Sequence, residues 1–434
     1  MDRLDLLPDE LLCIVLTHLD ERSLLPIRLL SAQWRALADH RLRDAHRLRG
    51  AYICDAAAAL NEFSILRSLH ERGFPLGPKA CAHAALNGNL EMLQWLRTND
   101  CPWDTETCTN AARGGHLDVL QWAIGNNCEY DRNMCCYGAA EAGHLAVLQW
   151  ATADGAHASS EMCACAVMGG RVNVLVWLQS IRRLPMKMVC TIAALYGHLD
   201  VLQWARSEGC PWDEEVCAHA ARGGHLAVLQ WARANGCPWG EDTCHQAAFG
   251  GHLEVLQWAR ANGCPWDEDT CDQAANGGHL EVLQWARANG CPWNWRVCAF
   301  AAAGGHLEVL QWAHANGCPQ NEYTCAWAAH GGHLSALQWA RANGCPWNEY
   351  TCYRAASMGH IDVLQWARTN GCPWNEETCS AAALWGHLEV LRWAHTNGCP
   401  WDKQTCVNAE AKGHTDVLEW AHANGCPCDH RDPV

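Results

Sequence analysis

Lysine is nearly missing from this chain of 434 residues: only Lys79, Lys187, Lys403 and Lys412 occur, so arginine carries almost all the positive charge. The balance is acidic even so, with a formal net charge of −16 at pH 7. A surface with that excess repels phosphate backbones, so nucleic acid is not an expected partner. No apolar run approaches the ~20 residues that span a bilayer, and no membrane contact is expected. The opening MDRLDLLPDE places acids where a signal peptide needs basic and then apolar residues. A cytoplasmic monomer is the expectation. No CxxC…CxxC spacing, phosphate-binding glycine loop, nucleophile elbow or isolated carboxylate pair stands out from the chain. Catalytic residues, cofactors and metal are therefore all expected to be none.

What is present is repetition. GGHLEVLQWARANGCPW, residues 250–266, returns unchanged at 277–293. Looser copies run from about residue 51 to the end, marked by Trp95, Trp122, Trp150 and ten more tryptophans up to Trp420. The step is 27 residues, except for one of 28 between Trp122 and Trp150. A fixed period in this range signals a solenoid, in which each unit needs only its neighbours to complete a core.

The unit from Trp266 to Pro292 shows how one copy folds. Gly263, Cys264 and Pro265 stop the preceding helix, and Asp267 is placed to cap the next. Asn294, Asn348, Asn375 and Asp402 hold the same position in other units. A first helix is predicted to run to about Asn276. At 100° per residue, Cys271, Ala274 and Ala275 share a face, with Asp272, Gln273 and Asn276 turned to solvent. Gly277 and Gly278 turn the chain. A second helix from His279 to about Asn289 then puts Val282, Leu283, Trp285 and Ala286 on an apolar arc wide enough to bury against both neighbours.

The string Thr-Cys-x-x-Ala-Ala-x-x-Gly-His-Leu-Glu-Val-Leu resembles the ankyrin repeat. The resemblance covers about fourteen units, residues 51–434. It departs in length, since ankyrin units usually have about 33 residues. The residues that are missing correspond to the ankyrin β-hairpin finger, which implies a helical stack with trimmed loops. Residues 123–190 fit the pattern worst: Cys128 lacks its proline and Arg171 stands in the place of the histidine.

Residues 4–40 break the period. Pro8, Asp9 and Glu10 suit a helix N-terminus, and Leu11, Leu12, Ile14, Val15 and Leu19 form an apolar face. Two further short helices are predicted, one from Ser23 to Leu30 and one around Trp34 to Ala38. Leu7-Pro8-Asp9-Glu10-Leu11-Leu12, Leu24-Leu25 and Trp34-Arg35-Ala36-Leu37-Ala38 resemble an F-box, apart from Leu30-Ser31-Ala32-Gln33 before the tryptophan. The resemblance implies docking on a Skp-type linker subunit of a cullin–RING ubiquitin ligase through Leu7, Pro8, Leu11, Leu12, Val15, Leu19, Leu24, Leu25 and Trp34. A helical cap closing the first repeat is the alternative. The organisation expected is thus an F-box-like domain at 1–42, a basic helical connector at 43–50 and the solenoid at 51–434. The fold class is all-α.

The 29 cysteines recur in pairs such as Cys237/Cys244, Cys264/Cys271 and Cys291/Cys298. Equivalent positions of adjacent units lie a helix spacing apart, roughly 8–10 Å, too far for a ladder of disulfides. Within a unit, cysteines seven residues apart are able to meet across the turn, but an intracellular protein keeps them reduced. Small buried filler is the expected role. Cys264, Cys271 and His279 supply three ligands where zinc needs four.

The letters that change from unit to unit come after the second cysteine and after the Ala-Ala pair. His245, Phe249, Asp272, Phe300, Trp327, Tyr353, Arg354 and Trp385 are the candidate target-binding face, because a constant scaffold with one varying face is what recognition requires. Drift at solvent positions is the plain alternative. F-box-like segments joined to such repeats resemble proteins of large DNA viruses of amoebae, which implies a setting in host cytosol.

Overall fold

The computed structural model describes residues 51–427 apart from 78, 182 and 183. The F-box-like segment with the residues expected to bind the linker, Leu7 to Trp34, and the connector at 43–50 lie outside the described residues. Within them the chain forms 28 helices in fourteen antiparallel pairs and no strand. The fold is an all-α repeat of short helices. The connections are tight turns where a hairpin finger would otherwise stand. The described residues fall in two compact units, one of 51–193 with 200–210, the other of 194–199 with 211–427.

In the type repeat the first helix is Glu268–Asn276 and the second Leu280–Ala288. Asp267 caps the first by accepting from the Asp269 N–H, as Asn294, Asn348 and Asp402 do in their own units. Asn375 holds the same backbone geometry without that side-chain bond. The second helix ends at Gly290, whose φ of +82° is the left-handed conformation that only glycine adopts cheaply. Val282, Leu283 and Ala286 are buried on one helix, Cys271, Ala274 and Ala275 on the other. The first helices of successive repeats pack side by side, such as Glu241–Phe249 on Glu268–Asn276. Alanine and cysteine on those faces let the backbones approach closely.

Three devices join one repeat to the next. The His279 ring Nε2 donates to the Phe249 carbonyl thirty residues back, at 2.9 Å, and His252, His306 and His360 repeat the bond. A carbonyl only accepts, so Nε2 carries the proton. Burial lowers the pKa of His279, which favours the neutral ring. The same ring fills the space over Gly251, where a Cβ would come within 2.4 Å of Nδ1. Third, Trp266 after the proline receives the Arg260 guanidinium 4.2 Å above its ring and meets Trp285 edge-on at 5.8 Å. It staples the preceding second helix to its own unit.

The irregular stretch keeps this logic by other means. Arg171 replaces the histidine, yet its Nε donates to the Glu141 carbonyl thirty residues back at 2.9 Å. The extra residue between Trp122 and Trp150 is accommodated with a longer first helix, Arg132–Ala142, of 11 residues instead of 9.

The cysteines pair otherwise than their spacing in sequence implies. Partners are not seven residues apart but twenty: Cys271 hydrogen-bonds to Cys291 and Cys244 to Cys264, so each pair joins the first helix of a repeat to the turn that leaves its second. Cys190 and Cys210, again twenty apart, are bonded as a disulfide. The reason is topological. The antiparallel pair brings the end of the second helix back beside the start of the first, whereas seven residues run across the turn and along the next helix. The turn cysteine also has a donor's job, its thiol reaching the carbonyl of the capping residue, Cys291 to Asp267 at 3.2 Å. It is buried, as expected of a filler, and polar in use.

His279→Ala removes one bond between repeats and is expected to cost about 1 kcal/mol in denaturant unfolding of the full chain. His279→Arg should recover most of it, since Arg171 makes the same bond; equal losses for the two variants would show that the ring acts only by filling space.

A candidate target-binding face

Three successive first helices of the second compact unit carry the face: Trp295–Ala303, Glu322–His330 and Glu349–Ser357. Each begins with an asparagine cap, Asn294, Asn321 or Asn348, which fixes the rotation of the helix and so the direction of its variable positions. Cysteine and alanine point inward, and the remaining arc carries aromatic rings.

The rings form one network. Trp295 stacks on Tyr323 at 5.1 Å, Tyr323 meets Tyr350 edge-on at 6.1 Å, and Tyr350 stacks on Tyr353 at 5.5 Å with planes 9° apart. Phe300 lies 6.4 Å from Trp327, which in turn meets His330 at 5.1 Å. Arg354 joins the two rows, its guanidinium 4.9 Å from the Trp327 ring and 4.8 Å from Tyr350. Arg296 sits 5.4 Å over Phe300. Such contacts restrict the ring rotamers, so little entropy would be left to lose if a ligand bound there.

Four of the residues expected from the sequence, Phe300, Trp327, Tyr353 and Arg354, are therefore brought together. The others are placed elsewhere. Phe249 lies under Arg222, 4.9 Å away, and His245 is bonded through Nε2 to Asp267 at 2.6 Å. Trp385 is 55% exposed, without a ring partner among the described residues. Asp272 is a correction: helical angle turns it to solvent, but it is fully buried, at 0% exposure. The next repeat covers it, and Arg296 reaches down to its carboxylate, Nε to Oδ2 at 3.1 Å, while its Nη1 holds Asp269 at 2.6 Å.

Trp295, Arg296, Tyr323 and Tyr350 belong to the face but not to the set expected from the sequence. A signal for them exists. The position two before the helix cysteine is acidic at Glu215, Asp242, Asp269 and Glu377, but Arg296, Tyr323 and Tyr350 occupy it in three consecutive units. Removing carboxylates from one column of an acidic array leaves a less charged, aromatic patch, the composition of protein-binding surfaces.

The Cys264, Cys271 and His279 set is not assembled as a metal site. Cys264 pairs with Cys244, Cys271 with Cys291, and His279 is committed to a carbonyl. Among the described residues, one group of three metal-ligating side chains gathers, His245, Asp267 and Asp269. There Asp267 is already engaged as helix cap and as partner of His245.

Burial pushes the Asp272 carboxyl up to about 7, against the opposing pull of Arg296 and with added repulsion from Asp269 and Glu268. A carboxyl raised in the folded state contributes stability that is full below its unfolded pKa and lost as pH rises through its folded one. Between about pH 4 and 7 this site should therefore cost the fold stability at about 1.4 kcal/mol per pH unit. Asp272→Asn is expected to abolish that slope, so that its melting temperature relative to the wild type rises from pH 5 to pH 8. A constant difference over that range would refute the assignment.

Among solved structures, the crystal structure of the human ASB11 ankyrin repeat domain is similar at 17% identity and a TM-score of 0.34, covering 44% of this chain and 99% of that one. No curated protein matches the chain. The all-helical repeat stands on the helices themselves. Residues 4–45 match the family model of the F-box domain, and the N-terminal segment is an F-box by that match.

Proposed function

We propose that the chain is a substrate receptor of a cullin–RING ubiquitin ligase. Its F-box docks on a Skp-type linker subunit, and the aromatic and arginine face on the repeats holds a target protein. The observation that supports this best is the co-occurrence of the F-box match at 4–45 with a continuous patch of anchoring residues on one face of the array. Leu7, Pro8, Leu11, Leu12, Val15, Leu19, Leu24, Leu25 and Trp34 are the residues assigned to the linker. Phe300, Trp327, Tyr350, Tyr353 and Arg354 are those assigned to the target.

No chemical step is asked of the chain. It acts by proximity, raising the effective concentration of target lysines beside a recruited enzyme. The scarcity of lysine fits that role, since the receptor offers few amines for its own modification. The working place is the cytosol, that of a host cell if the chain is viral, and the chain acts as a monomer. No helix among the described residues is long and apolar enough to cross a membrane. A scaffold or decoy without ligase recruitment is the second reading, in which residues 1–42 cap the array or sequester the linker; the F-box match favours the first.

Co-precipitation with a Skp-type subunit and a cullin separates the two. The full chain is expected to recover both. Leu12→Ala, which loses about 2–5 kcal/mol of packing, should weaken recovery, and removal of residues 1–42 should abolish it. Equal recovery with and without the segment, or no recovery at all, sinks the receptor reading. Arg354→Ala is expected to lower target capture roughly tenfold or more with linker recovery unchanged.

A further inference from the structure

The target-binding face makes no use of the cysteines, and their arrangement is more ordered than filling requires. Eleven pairs are separated by twenty residues: nine in which the two thiols hydrogen-bond to one another, Cys190–Cys210, which is bonded, and Cys406/Cys426, which are buried in one cluster with no thiol–thiol bond between them. The turn cysteine is held in a fixed place in each. Its sulfur lies on a carbonyl at the start of the first helix, at 3.2 Å for Cys291 on Asp267, 3.3 Å for Cys264 on Gly240 and 3.0 Å for Cys210 on Met186. The helix cysteine stands four residues beyond that carbonyl, one turn away. The bonded pair thus shares its placement with the unbonded ones.

We infer that the cysteine pairs twenty residues apart are redox modification sites, at which a small-molecule disulfide closes a reversible cross-link between the two ends of one repeat. The chemistry balances as thiol–disulfide exchange. The thiolate of one cysteine attacks the small disulfide, forming a mixed disulfide and releasing one small thiolate. The partner cysteine, after losing its proton, attacks the protein sulfur and releases the second thiolate. Two electrons pass from the pair to the small disulfide, and two protons go to its two thiols. The second step is intramolecular between sulfurs already in contact, which is why a pair closes where a lone buried cysteine would stop at the mixed disulfide.

Closed repeats are slow to react. Cys271 and Cys291 are both fully buried, and the bond to Cys291 together with burial pushes the Cys271 thiol far above its ordinary value, so little thiolate exists. Entry is through the turn, where Gly290 and Pro292 flank Cys291 at the surface. Opening that turn exposes the sulfur without unfolding the first helix. In a reducing cytosol the pairs stay thiols, and in an oxidising setting they become staples across single repeats.

The test is to incubate the folded full chain with excess oxidised glutathione, quench in acid, alkylate the remaining thiols and map the linked peptides by mass spectrometry. Links joining residues twenty apart, such as Cys271 to Cys291, are expected, reversed by dithiothreitol and accompanied by a higher melting temperature. Cys291→Ser should delete that one link and leave Cys271 free or glutathionylated, with the other pairs unchanged. Links scattered over other spacings would overturn the inference. So would single glutathione adducts without cross-links, or no reaction unless denaturant is present. The wild-type map decides the question even if the variant fails to fold.

Discussion

A histidine ring donating to a carbonyl thirty residues back, seated over a glycine of the repeat before it, is the contact on which the stack depends. The 27-residue helix pair has too little apolar surface to persist alone, and its value lies in what it presents to its neighbours. The ring does two things at once. It gives a partner to a first-helix carbonyl that has none within its own helix, and it fills the volume that glycine leaves. That coupling explains why Gly-His recurs in most units, and why Arg171, which replaces the histidine in one of them, is a side chain that can still donate from the same place.

Once repeats are locked this way, the first helices lie side by side at a fixed angle, and their outward positions become columns. A column tolerates varied residues, since most of its members lie outside the core. Three adjacent units have used that freedom to replace an acid with Arg296, Tyr323 and Tyr350, and the rings close into one network through Arg354. The same arginine that borders the patch, Arg296, also holds the buried Asp272. A change at Arg296 thus acts on the aromatic patch and on the buried carboxylate together.

Much of the architecture is legible directly. The period gives the number of units, the Asp/Asn caps the helix starts, and glycine with proline the helix ends; each is a local signal with a local cause. The candidate face is partly legible, because Phe300, Trp327, Tyr353 and Arg354 vary while their surroundings do not. Tyr323 and Tyr350 stand in a column with the same departure, but that column precedes the helix cysteine, on the side where six units keep an acid. Asp272 is misplaced by helical angle for a physical reason: the angle says which way a side chain leaves its own helix, not whether the next repeat covers it.

The sequence by itself determined a repeating pair of short helices, their boundaries and the division into constant and varying positions, because these depend on capping, glycine conformations and periodicity within a few residues. Tertiary structure alone decided who meets whom. Cysteines twenty apart pair rather than those seven apart, the histidine reaches the repeat before it, and rings from three helices join in one face. Each of those contacts is set by how antiparallel helices fold back and stack, a geometry to which spacing along the chain is blind.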